Sequence, residues 1–308
     1  LWTLLLALGA ALALCVGAGA AEVSVAQANQ LIGDSVELNG EYKLIADITI
    51  DRSIVIKKEK SVTLDLNGHV LKYKSANKGS VIKVEGGGSL TIKDSDTTAE
   101  HKFTPNISGL WVLDETNGTE TVSGGVITGG TGTLNFPDKT SPIYSYNGGG
   151  VYVAPGGTLT MNGGSIVGCS GSGTINGGGG VYLGLNSSPT DPTADTFTMN
   201  GGRIIGCTAG LGGGVLVAPG CKFTMNADAV IRSCTAAMGG GVYNINIGKS
   251  DSPGTFTLNG GTIQSCKASV QGSGGGVCNS GEFIIMENSL IKDCTFEKDS
   301  NESDGVLN

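Results

Sequence analysis

Aromatic residues make up only 5% of this chain and charged residues 15%, with two histidines among 308 residues. So few large rings and so many glycines, 53 in all, exclude an ordinary helical domain. An apolar fraction of 39% excludes a disordered one. Arginine is nearly missing too, present only as Arg52, Arg203 and Arg232. The balance of 19 basic against 27 acidic residues, with a pI near 4.8, argues against nucleic acid as a partner. No Cys-x-x-Cys pair occurs, and His69 and His101 fall in segments remote from the cysteines. The expectation is therefore no metal and no cofactor.

Charge is also absent from the first 21 residues. The apolar run from Leu4 to Val16, then Ala18-Gly19-Ala20, reads as a secretory leader over residues 1–21 with cleavage near Ala20 or Ala21. No basic residue precedes the run and the chain opens on Leu1, so the reading is of a sequence shortened at its start. A membrane-spanning helix is the rival, but the Gly-Ala punctuation counts against it, and Leu14 counts against lipidation at Cys15. Secretion or display at the cell surface is the expected location.

What is abundant is repetition. Gly148-Gly149-Gly150-Val151-Tyr152-Val153 recurs from Gly178, Gly212, Gly239 and Gly274. A second block, Leu159-Thr160-Met161-Asn162, returns as Phe197 to Asn200, Phe223 to Asn226 and Phe256 to Asn259. A third, Ile-x-x-Cys, ends at Cys169, Cys207, Cys234, Cys266 and Cys294. Alternation of Phe, Thr and Met is the period of a strand. Strands this short cannot bury their faces within one repeat, so the chain must wind and stack equal positions into columns. The fold expected is all-β, a right-handed parallel β-helix solenoid of the pectate-lyase type with about nine coils, a rod of roughly 43 Å. Weaker repeats run upstream through Ala46–Ile50, Val62–Gly68, Lys78–Val84 and Gly87–Ile92. Residues 22–36, with Val25, Ala28, Leu31 and Ile32 at helical spacing, read as a short capping helix over the first coil. Residues 37–308 read as the repeat domain, and Asp304–Asn308 as the opening of a further coil, so that the array continues past Asn308.

The pairing of Gly-Gly-Gly-Val with Phe-Thr-Met-Asn resembles the glycine and Phe-x-x-Asn repeats of chlamydial polymorphic outer-membrane proteins over residues 148–295. It is also similar to secreted right-handed β-helix repeat proteins of anaerobic bacteria. The resemblance implies a β-helix fold and a surface location, the first family having adhesive roles, and leaves the chemistry open; the function expected is a binding or structural rod whose partner is a glycan or a host or cell-surface protein. The alternative on the same fold is a polysaccharide lyase or glycoside hydrolase, which needs converging carboxylates. No Asp-Asp or Gly-His-Gly is present. Asp47, Asp51, Asp65 and His69 are the nearest to an enzymatic set, and a solvated polar face is the plainer reading.

The columns themselves supply the candidate residues. Asn162, Asn200, Asn226 and Asn259 read as a buried amide ladder at a left-handed corner, ending where Glu287 takes the place. Cys169, Cys207, Cys234, Cys266 and Cys294 stack about 4.8 Å apart, within disulfide reach, but parallel stacking aims their Cβ atoms alike. A ladder of apolar thiols is favoured over bridges. Tyr152, Tyr182 and Tyr243 read as an outward column, either a binding platform or cross-coil stacking. Insertions Gly184–Thr196 and Ile245–Thr255, carrying Asp191, Asp195 and Asp251, read as solvated loops or a ligand-contacting ridge on one side of the rod.

Overall fold

The structure, a computed structural model, describes residues 19–33, 35–74, 76–135, 145–173, 177–184, 194–246, 252–270, 273–296 and 306–307. The described chain is all-β, built on three long sheets whose strands are all parallel, an arrangement compatible with a parallel β-helix. Each full pass contributes one short strand to each sheet. The pass through Val151–Val153, Thr158–Met161 and Ser165–Val167 is followed by Val181–Leu183, Thr196–Met199 and Arg203–Ile205, and so on through three more passes. These sheets are called here the valine sheet (eight strands), the threonine sheet (nine strands) and the isoleucine sheet (eight strands) after the residues of the repeat.

Pairing is in register: Leu159 lies beside Phe197, Phe197 beside Phe223 and Phe223 beside Phe256. Equal residues consequently touch across coils. The rings of Phe197, Phe223, Phe256 and Phe283 form one stack with centroid separations of 4.7, 4.9 and 4.9 Å and interplanar angles of 10° or less. That separation is the strand spacing itself, so offset ring contact comes with the winding. Isoleucines at 127, 166, 204, 231 and 263 and valines at 151, 181, 215, 242 and 277 complete a fully buried interior.

Three features depart from the repeat reading. A fourth short strand follows the cysteine in the later passes, Thr208–Leu211, Thr235–Met238, Lys267–Ala268 and Thr295–Phe296, and makes its own parallel sheet. A three-stranded antiparallel insertion, Glu100–Pro105, Trp111–Leu113 and Glu120–Ser123, folds onto the outside of the isoleucine sheet. There Phe103, Trp111 and Val122 bury Val126, Val167 and Ile205. The expected N-terminal capping helix is replaced by a six-residue 3-10 helix, Val25–Gln30, entered through Ser24, whose N–H and Oγ both donate to Gln27 Oε1. An α-helix has no room to develop, because Ile32 is already bridged to Ile54 and Gly33 takes φ +102°. Ala28, Leu31 and Ile32 still face the core. Of the expected leader, residues 1–18 lie outside the described residues. Ala21, placed at its end, is the first residue of a strand paired with Tyr42.

At the corner before each column cysteine the backbone is left-handed: Gly168, Gly206, Ser233, Ser265 and Asp293 have φ between 53° and 60°. Serine in that region is strained by its Cβ. Replacing Ser233 or Ser265 with glycine is expected to raise the urea unfolding free energy by about 0.5 to 1 kcal/mol each, the relief of strain outweighing the extra unfolded-state entropy. A loss of stability would contradict this account of the corner.

Candidate functional site

In the threonine sheet the alternation that turns Phe and Met inward turns the intervening residues out. Thr63, Thr91, Thr160, Thr198, Thr224 and Thr257 stand beside one another on six successive strands, each half-buried. Two residues earlier runs a companion column, Ser61, Ser89, Thr158, Thr196, Lys222 and Thr255. Two residues later come Asn162, Asn200, Asn226 and Asn259. Their amides form a continuous chain in which Asn200, Asn226 and Asn259 each donate Nδ2–H to the Oδ1 of the preceding asparagine, at 2.9, 2.8 and 2.8 Å. The ladder is thus present, but it is not buried: Asn162, Asn200 and Asn259 are exposed and Asn226 half-buried. Nor is it left-handed, the positive φ falling on Gly164 and Gly202 beyond it. Asparagine shares the parity of threonine in the strand, and parity decides the face. Its end is also shifted by one residue. With Leu258 beside Ile285, the position after Asn259 is Met286 rather than Glu287, and Met286 has no amide to continue the chain.

The cysteine column is buried and unbridged; Cys221 and Cys278 are free and buried as well. Each column thiol reaches back across the corner to the carbonyl two residues earlier, as Cys207 Sγ does to Ile205 O at 3.4 Å and Cys234 Sγ to Arg232 O at 3.4 Å. Burial pushes the Cys169 and Cys234 thiols up, so these sulfurs act as small protonated core groups. Among the described residues no group of three His, Cys, Asp or Glu is placed to hold a metal ion.

Three expected surface residues are interior. Tyr152 and Tyr182 do point away from Val151 and Val181, and their rings stack at 5.3 Å. Yet they are only 8% and 7% exposed, because glycine-rich segments close over that side of the valine sheet. A Cβ on Gly148 would lie 3.0 Å from the Tyr182 Cβ, and one on Gly177 would lie 2.2 Å from Leu216 Cδ1. Tyr243, farther along, is half-buried. Asp195 has no exposure at all. Its carboxylate accepts the Gly156 N–H and the Cys221 thiol, the latter at 3.5 Å, so it pins the Ala154-Pro155-Gly156 turn instead of meeting solvent. Asp191 and Asp251 lie outside the described residues, as do residues 185–193 of the first insertion and 247–251 of the second.

Burial, with Asp195 nearby, pushes the Tyr152 phenol up to about 12 from 10.0. Below pH 10 the phenol is neutral in both folded and unfolded chains and its contribution is intact. Above pH 10 the unfolded chain ionises first, so stability is lost as pH rises toward 12, by about 2 to 3 kcal/mol. Urea unfolding of wild type and Tyr152→Phe across that range should show the variant losing less; parallel losses would contradict it.

The upstream acidic residues do not converge. Asp47 Oδ1 meets His69 Nδ1 at 3.3 Å but already accepts the Val70 N–H at 2.9 Å. Asp65 accepts the N–H groups of Asn67 and Ser95, and Asp51 is exposed beside its neighbour Arg52. The sequence reading missed Asp94, whose two oxygens accept the Gly68 and Gly125 N–H groups. It also missed His101, held between Gly68 O at 2.8 Å and Glu115 at 2.9 Å. These groups fasten turns and the insertion to the coils. Comparison with protein families, curated proteins and solved structures finds no match.

Proposed function

We propose that the chain is a secreted or cell-surface rod, a right-handed parallel β-helix of the pectate-lyase type, with an adhesin-like structural and binding role. Its partner on this reading is a glycan or a cell-surface protein. The observation that carries it is the threonine sheet's outer side: in-register columns of hydroxyl and amide groups, uncharged through Thr160, Thr198, Thr224 and Thr257 and their neighbouring asparagines, beside a companion column of hydroxyls interrupted by Lys222. Loops vary between coils while this face repeats, as a surface kept for contact would. The resemblance of the glycine and Phe-Thr-Met-Asn blocks to surface β-helix repeats supports the same assignment.

A polysaccharide lyase or glycoside hydrolase is the second reading, favoured by the Asp47–His69 contact. Against it, Asp47 and Asp65 are engaged with backbone N–H groups, and general acid–base work needs a carboxyl free to exchange a proton with substrate. A glycan array paired with a reducing-sugar release assay separates the two. Binding without release supports the rod; turnover of any glycan establishes the enzyme.

A further inference from the structure

Resting on the binding role proposed above, the geometry points to a partner class: we propose that the threonine sheet docks flat on the ordered surface of an insoluble, neutral polysaccharide. Three properties of the face lead there.

First, the face is a lattice. Its rows follow the coil spacing of about 4.8 Å, and its columns, two residues apart on a strand, lie about 6.8 Å from one another. Six threonines in the central column span about 24 Å along the axis. β-branching restricts each threonine's χ1, and the amide chain holds the asparagines in line. Each ladder amide has two N–H groups and two oxygen lone pairs, of which the ladder uses one apiece at Asn200 and Asn226 and fewer at its ends. The remainder repeats with the coils.

Second, the face excludes other partners. From Thr160 to Thr257 its threonine and asparagine columns carry no charge and the companion column carries one, Lys222, so an ionic polymer finds no row of charges to pair with. No Trp, Tyr or Arg lies in these columns to anchor a protein, and the patch, on the order of 300 Å², falls far short of what a stable protein interface buries. A single sugar needs a concave site, whereas here the outward positions of successive strands align without a register shift.

Third, the contacts available are individually weak. A solvent-exposed hydrogen bond contributes about 0.5 to 1.5 kcal/mol net, and ordering a flexible ligand costs about as much per immobilised group. Only a partner that is already rigid and periodic adds such contacts without that repeated cost. A crystalline neutral polymer presents hydroxyls in this way; a dissolved oligosaccharide does not.

The test is depletion of the protein from solution by microcrystalline cellulose and by chitin, alongside calorimetry with soluble cello- and chito-oligosaccharides. Thr198→Glu/Thr224→Glu places charge at the centre of the face, Asn200→Ala/Asn226→Ala removes the ladder, and Gln264→Glu on the isoleucine sheet is the control. Circular dichroism checks that each is folded. The expected result is retention of wild type and of Gln264→Glu on at least one solid, at least tenfold weaker retention of both face variants, and no measurable heat with the oligosaccharides. Retention that neither face variant alters overturns this site while leaving the binding role standing. Equal affinity for soluble oligosaccharides, or retention by growing ice crystals and by neither solid, overturns the partner class. Failure to bind any glycan, soluble or solid, overturns this proposal, and retention of protein partners in a pull-down would then decide the broader role.

Discussion

Truncating Phe223 to alanine is expected to lower the unfolding free energy by about 3 to 5 kcal/mol, among the largest effects available to a single core substitution here. The side chain is fully buried, and its ring is sandwiched between those of Phe197 at 4.7 Å and Phe256 at 4.9 Å. Removing it opens a cavity in the middle of the stack and deprives two neighbours of ring contact at once. Because coils hold one another mainly through adjacent interfaces, the damage should spread to the strands Thr196–Met199 and Thr255–Asn259 on either side. Urea unfolding followed by far-UV circular dichroism measures the loss. Phe223→Leu, which retains most of the volume, should recover more than half of it. A loss below about 1 kcal/mol for the alanine variant would mean that the ring column does not carry this interior.

Gly206→Ala should be nearly as costly, about 2 to 5 kcal/mol, although it adds only a methyl group. Gly206 has φ +56°, and a Cβ built there would lie 2.1 Å from Trp111 Cγ. The ring cannot simply swing aside. The Trp111 backbone N–H donates to Gly206 O at 2.9 Å, which holds the residue against the corner, and Arg232 lies over the ring at 4.8 Å from its centroid. The insertion must lift from the isoleucine sheet, which exposes Val126, Val167 and Ile205 to water. Two measurements follow this displacement. Amide hydrogen exchange should accelerate over residues 100–123 while the Phe stack stays protected. In protein beginning at Glu22, Trp111 is the single tryptophan, and its emission should move to the red. Unchanged emission would show that the ring is not packed as described.

Much of this architecture could be read from residue order alone, and the reason is physical. A winding chain places equal positions beside one another, so the Phe, Ile, Val and Cys columns are the repeats seen end-on. Asn162 and its counterparts show how far parity alone reaches. They share the spacing of threonine, which is enough to put them outside, yet expecting a corner amide to be buried led to the opposite assignment. The insertion was harder to foresee. Nothing in residues 100–123 repeats, and its role depends on Trp111 meeting Gly168 and Gly206, which come from two different coils.

Local alternation of apolar and polar residues, with glycine at corners, was sufficient to specify strands, their stacking and the interior rows. What covers each outer side was decided only in three dimensions. Tyr152 and Asp195 look like surface residues by their chemistry, and only the close approach of glycine segments and of the 154–156 turn removes them from water. Coverage depends on chain segments far apart in sequence, and no local pattern encodes it. The threonine and asparagine columns are left facing solvent by the same process, because no other segment of the described chain packs over them.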